Sequence, residues 1–171
     1  EISLGLVGSE MCIRDSGGIL PKNKITEEIA EIRGVPRDRD CISPPKHSAF
    51  NTPIEMMHFI QQLRELSGGK PVGFKLCIGQ PWQFMGIVKA MLATQIIPDF
   101  IVVDGSEGGT GAAPVEFSDF IGTPLREGLQ FVHNTLIGAG LRDQIKLGAS
   151  GKIISAFDIA STFALGADWA V

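Results

Sequence analysis

Four of the eight residues from Asp104 to Gly111 (DGSEGGTG) are glycine: Gly105, Gly108, Gly109 and Gly111. Ordering so many glycines costs backbone entropy, so the run makes sense where N–H groups must approach a ligand closely. Its order is neither the GxGxxG of a dinucleotide fold nor the terminal Gly-Lys-Ser/Thr of a P-loop. A mobile connecting loop has the same composition, and composition leaves both readings open. A second turn, Leu147-Gly-Ala-Ser-Gly-Lys152, sets Gly148, Ser150, Gly151 and Lys152 ahead of a helix that Ser155 starts. Its N–H groups and that helix start form a candidate phosphate cradle, or else a simple βα turn.

Lys75 stands in an otherwise apolar run, Val72-Gly-Phe-Lys-Leu-Cys-Ile78. A buried ammonium without a partner is costly. A lysine here either faces an anionic or electron-rich ligand or reaches water from an edge strand. His47, in the Pro-rich stretch CISPPKHSAF beside Lys46 and Ser48, can donate to a carboxylate or is simply a solvated loop residue. His58 and His133 fall on amphipathic helices and are expected at the surface or in packing. Cys12, Cys41 and Cys77 form no CxxC pair and have no metal-ligand spacing, so no metal site is expected. Cys77 reads as a small core residue.

Positioning these groups takes alternating strands and helices. Apolar spacing predicts a helix over Ile25–Arg33, with Thr26, Glu27 and Glu28 in its first turn. A long polar loop follows over Val35–Asn51. Thr52-Pro-Ile-Glu55 is a capping box opening a second helix, with Ile54, Met57, Ile60 and Leu63 toward the core and Gly68–Gly69 at its end. Further helices are expected over Pro81–Thr94 (Met85, Val88 and Leu92 on one face), Pro124–Gly138 and Ser155–Leu165. Strands are expected over Pro71–Ile78, Phe100–Asp104, from Gln144 to Leu147, and over Ala167–Val171. Wholly apolar FIVVD fits a parallel sheet covered on both faces. This βαβαβαβ order fits a doubly wound sheet or an eight-fold β/α barrel, and periodicity does not separate them. In a barrel the polar turns after the strands share one face, where barrel active sites lie.

The chain has 171 residues, 44% apolar and 20% charged, which is globular composition for one domain or a piece of one. Its net charge of −4 argues against a broad nucleic-acid surface and against polybasic membrane attachment. No stretch approaches the ~20 apolar residues of a membrane helix. Three cysteines, an odd count, fit a reducing compartment, so a cytoplasmic location is expected; a membrane anchor upstream is left open. Residues 1–16 (EISLGLVGSEMCIRDS) make a poor signal peptide, lacking a basic start and a small-x-small cleavage site. Their end resembles a translated adaptor scar, so the domain is expected over 17–171.

GGILPKNKI, ISPPKHSAF, PVGFKL, FIVVDGSEGGTGAAP, GTPLREGL and KLGASGKI, in this order, resemble the FMN-binding synthase domain of glutamate synthase and its stand-alone bacterial relatives. The resemblance covers Gly17–Val171. It implies a (β/α)8 TIM barrel of parallel strands, of which this chain holds about the last half. It implies FMN and the reduction of 2-iminoglutarate, made from 2-oxoglutarate and ammonia, to glutamate. An iron–sulfur cluster is expected in the full-length parent, with ferredoxin or a reductase subunit as electron donor. Lys75 would sit near flavin N1/O2 and act in catalysis. Asp104, Gly105, Gly108, Gly109 and Gly111 would line the flavin, and Gly148, Ser150, Gly151 and Lys152 would hold its phosphate. Lys22, Lys24, Ser43 and His47 match the loop near the 2-oxoglutarate pocket.

Two departures bear on substrate. Ser106 replaces the His of the family's DGHDGGTGA, and Lys46 replaces the third proline of the 2-oxoglutarate loop. An N-methylglutamate synthase-like enzyme and a non-catalytic flavin-binding barrel subunit are the alternatives. The half-barrel reading also expects an open sheet with helices on one side, and Phe74, Leu76, Val102 and Leu147 on its central strands.

Overall fold

The computed structural model describes residues 7–8, 19–42, 47–107 and 122–171. In chain order the elements are β1 (Val7–Gly8), β2 (Ile19–Leu20), α1 (Glu27–Arg33), β3 (Cys41–Ile42), α2 (Pro53–Leu66), β4 (Gly73–Cys77), α3 (Pro81–Thr94), β5 (Phe100–Asp104), α4 (Leu125–Gly138), β6 (Lys146–Ser150), α5 (Ala156–Ala164) and β7 (Trp169–Ala170).

Local chemistry sets most of these boundaries. Thr52 Oγ1 accepts the Glu55 N–H and the Glu55 carboxylate accepts the Thr52 N–H, each at 3.2 Å, with Pro53 opening α2. Gly68 and Gly69 follow that helix with φ of +70° and +85°. Thr26 is the N-cap of α1 rather than part of its first turn, and Ile25 lies ahead of the helix, buried. The expected loop over Val35–Asn51 contains β3, which pairs antiparallel with β2. Two-residue strands carry no readable alternation, so the pattern hid this pair.

Helix faces needed correction too. Ile54 is exposed, and Met56 joins Met57 and Ile60 in the core instead. On α3, Met85 and Leu92 are 46% and 43% exposed, while Phe84, Ile87, Val88 and Met91 fill the interior. This helix is apolar on nearly every side, so spacing did not select a face.

The sheet runs β1-β4-β5-β6-β7, and every pairing is parallel. Phe74, Leu76, Ile101, Val103, Leu147 and Ala149 point to one face and form a single core with α2, α3 and α4. Each fully buried aliphatic or aromatic side chain there contributes about 1.5–3 kcal/mol. Val102 belongs to the other face and is half-buried. Neighbouring strands follow chain order without reversal, the core helices lie on one side, and both sheet edges are open among the described residues. A doubly wound sheet needs helices on both sides; this is the α/β arc of a partial TIM barrel.

Two matching clamps hold the N-terminal ends of the strands. Asp99 Oδ2 accepts from the Val72 N–H at 2.7 Å and from Arg64 Nη2 at 2.9 Å. Asp168 Oδ2 accepts from the Leu147 N–H at 2.8 Å and from Arg142 Nη2 at 3.0 Å. Arg142 also donates to His133 Nδ1 at 3.0 Å, which makes His133 a packing residue. Clamps at this end of a barrel serve stability. Among the described residues no helix is long and apolar enough to cross a membrane.

Candidate functional site

The C-terminal ends of β4, β5 and β6 lie side by side, with Cys77, Asp104 and Ser150 in register. Lys75, two residues back on β4, reaches forward to them. Its Nζ lies 3.0 Å from Asp104 Oδ2 and donates to Ser150 Oγ at 3.1 Å. Both charged side chains keep about a third of their surface in solvent (34% and 35%). Lys75 has Val7 of β1 on one side and Val102 of β5 on the other, so it is not at a sheet edge. Its counter-charge comes from within the chain, so its burial alone does not call for an anionic ligand.

Backbone bonds tie the turns beyond these strands together. The Gly105 N–H donates to Ser150 O at 2.8 Å, the Ser106 N–H to Thr123 O at 3.1 Å, and the Thr123 N–H to Ile78 O at 2.8 Å. Glu107, to which the sequence pattern gave no role, accepts the Leu125 N–H on Oε1 and Oε2 at 2.9 and 3.1 Å. Its carboxylate thereby sits at the positive end of α4. Gly151 has φ of +141°, which side chains rarely adopt, and a Cβ there would lie 3.3 Å from Gly105 N. A Cβ on Gly105 would collide with the Glu107 carboxylate and come within 2.8 Å of Leu125 Cβ. The two turns approach each other closely, with the Glu107 carboxylate against both glycines.

Lys75, Asp104, Gly105, Ser150 and Gly151 are therefore gathered at one end of the sheet, and Lys152, exposed with φ of +43°, follows Gly151. Gly148 is two residues back from Ser150, in register with Trp169. Gly108, Gly109, Gly111 and Ser43 lie outside the described residues. Lys22 and Lys24 occupy an exposed 3-10 turn, where the Lys22 N–H donates to Asp40 at 2.8 Å. His47 stacks on Phe50 with ring centroids 4.7 Å apart and its Nδ1 accepts the Ala49 N–H at 3.1 Å. Among the described residues no hydrogen bond or ion pair joins Lys22, Lys24 or His47 to the Lys75 group.

The start of α5 carries a capping box. Asp158 Oδ2 accepts the Ser155 N–H at 2.9 Å, the Ser155 hydroxyl at 2.7 Å and the Ile154 N–H at 3.4 Å. The helix caps itself, with Ser155 Oγ accepting the Asp158 N–H at 3.1 Å in return. The Ser155 hydroxyl, then the Ser155 and Ile154 N–H groups, hold the Asp158 carboxyl below the ordinary carboxylate range.

A family profile described as "Conserved region in glutamate synthase" matches residues 13–171. The chain is 42% identical over 153 residues to the "Glutamate synthase large subunit-like protein YerD" of Bacillus subtilis (strain 168), covering 90% of this chain and 29% of that protein. It is 36% identical over 155 residues to the "Archaeal glutamate synthase (NADPH)" of Methanocaldococcus jannaschii, covering 89% and 29%. The chain thus spans less than a third of the length of these relatives. Among solved structures, a flavocytochrome b2 variant with pyruvate bound aligns with a TM-score of 0.45 at 14% identity, covering 92% of this chain and 34% of that one.

Proposed function

This chain belongs to the glutamate synthase family, and on that premise we propose that it is part of an FMN-dependent oxidoreductase. The enzyme reduces 2-iminoglutarate, formed from 2-oxoglutarate and ammonia, to L-glutamate. One observation carries this reading: Lys75, Asp104 and Ser150 converge at the C-terminal ends of three adjacent parallel strands, on the face away from the helices.

The residues present fit FMN. An ammonium and a hydroxyl meet beside two glycine backbones that a Cβ would crowd. Lys75 would face the electron-rich N1 and O2 atoms. Asp104 and Gly105, with Gly108, Gly109 and Gly111, would line the ring, and Gly148, Ser150, Gly151 and Lys152 would serve its phosphate. FMN held there would supply the hydride for the reduction. Lys75 holds positive charge where negative charge gathers on reduction, and Ser150 fixes the direction of that ammonium. Glu107 and the Gly105–Ser150 bond keep the two turns together.

Lys22, Lys24, Ser43 and His47 remain the proposed contacts for the carboxylates of 2-oxoglutarate, supported by the motif resemblance. The parent is proposed to hold an iron–sulfur cluster and to take electrons from ferredoxin or a reductase subunit, in the cytoplasm. The domain is proposed over residues 17–171 on the motif resemblance, while the family match begins at residue 13 and β1 (Val7–Gly8) pairs with β4.

Purification of the full-length parent tests the reading. It should show flavin and cluster absorption and form glutamate from 2-oxoglutarate and ammonia with a reduced donor. A parent that folds but carries no flavin, or turns over no ammonia, overturns it. Turnover with methylamine in place of ammonia would make it an N-methylglutamate synthase.

A further inference from the structure

We propose that Asp104 is the charge-balancing partner of Lys75 and that its negative charge, set beside that ammonium, lowers the reduction potential of the bound flavin. This rests on the FMN reading above.

The argument starts from the 3.0 Å contact between Lys75 Nζ and Asp104 Oδ2. A lone ammonium projects a full positive charge at its neighbours. Paired at this distance with a carboxylate, it projects the weaker field of a dipole. When the flavin takes up two electrons and one proton it gains one net negative charge, concentrated at N1 and O2. An unpaired lysine would favour that state strongly; a lysine held by Asp104 favours it less. The chain thus carries both an accelerator and a brake on reduction. Ser150 Oγ also accepts from Nζ, at 3.1 Å. Neutralising Asp104 should therefore leave the ammonium in place while removing its counter-charge.

Four forms of the intact parent decide this: wild type, Asp104→Asn, Lys75→Met and the double variant. Each is checked for flavin by absorption, and its two-electron midpoint potential is measured against reference dyes. Asp104→Asn should favour the reduced ring about tenfold, an upward shift of about 30 mV. Lys75→Met should move the potential down by a similar factor. The double variant, neutral at both positions, should return to within about threefold of wild type, equivalent to about 15 mV. Asp104→Glu, which keeps the charge, should hold the wild-type potential.

A flavin-loaded Asp104→Asn enzyme with an unchanged or lowered potential overturns the proposal while leaving the FMN reading intact. A wild-type parent without flavin overturns both. Should Asp104→Asn alone not fold, Lys75→Met and the double variant still decide, since removing the Asp104 charge must raise the potential in that background as well.

Discussion

The indole of Trp169 occupies the space that a Cβ on Gly148 would need, with its Cε2 2.5 Å from that position. Gly73 stands in the same relation to Phe100, whose ring Cδ2 would lie 2.6 Å from a Cβ there. Gly148 and Trp169 are in register, as are Gly73 and Phe100, and the two rings meet edge to face at 6.0 Å. Each aromatic residue directly follows the aspartate of a clamp, Asp99 or Asp168, and each glycine directly follows the residue whose N–H that aspartate accepts. The β4–β5 and β6–β7 pairs are thus two copies of one local design. The absence of a side chain at Gly148 leaves room for the indole, which is one reason for a glycine two residues short of the turn.

Gly148→Ala should destabilise the intact parent by about 1–3 kcal/mol, because a rigid indole rather than a flexible chain end blocks the new methyl. Urea unfolding measures this. Adding Trp169→Ala should recover part of the loss relative to Trp169→Ala alone. If Gly148→Ala costs nothing, Trp169 does not cover Gly148 in solution.

Asp168→Ala should cost about 1–3 kcal/mol, chiefly because the Leu147 N–H loses its acceptor. The ion pair with Arg142, at side-chain exposures of 17% and 30%, adds on the order of 1 kcal/mol or less. Asp168→Asn can still accept that N–H and should cost less. Flavin absorption should be unchanged in both, since the clamp is at the end of the sheet opposite Lys75. A change in the flavin spectrum without loss of stability would contradict that assignment.

Sequence pattern read the strands and the helix starts well because their determinants are local. FIVVD is β5 to the residue, and Thr52 and Ser155 cap where their spacing places them. Parallel-barrel class followed from the βα order and motif resemblance. What the sequence did not disclose is contact between residues far apart in the chain. Lys75 and Ser150 are 75 positions apart, and Glu107 reaches Leu125 across 18. The Val35–Asn51 stretch looked structureless because its strand is two residues long, and α3 offered too many apolar faces to rank.

Asp158 gives the α5 cap a defined acid dependence. Its carboxyl is held below its ordinary value of 3.8 in the fold. The unfolded chain therefore binds the proton first as pH falls. The stabilisation is present in full above about pH 5 and is lost as pH drops below 3.8 through the lower folded-state value. Asp158→Asn should be less stable than wild type at pH 6, with the gap closing on acidification below 3.8. Unfolding midpoints from pH 6 to pH 3 measure it; a gap that widens on acidification would reverse the sign and refute the assignment.

Glu107 ties the turn after β5 to the start of α4, where its carboxylate accepts the Leu125 N–H. The anchor combines a hydrogen bond to the first free N–H of the helix with favourable charge at the positive end of its dipole. Glu107→Ala removes both and should cost about 1–2 kcal/mol, in the range of a lost N-cap. Glu107→Gln keeps an acceptor oxygen and loses only the charge, so it should cost a few tenths to about 1 kcal/mol. If the loop it tethers lines the flavin, Glu107→Ala should also weaken FMN binding severalfold, and Glu107→Gln should restore most of it. Flavin titration of the apo-parent separates the two consequences. Lost stability with unchanged FMN affinity would confine Glu107 to capping α4 and would remove the loop anchor from the flavin site.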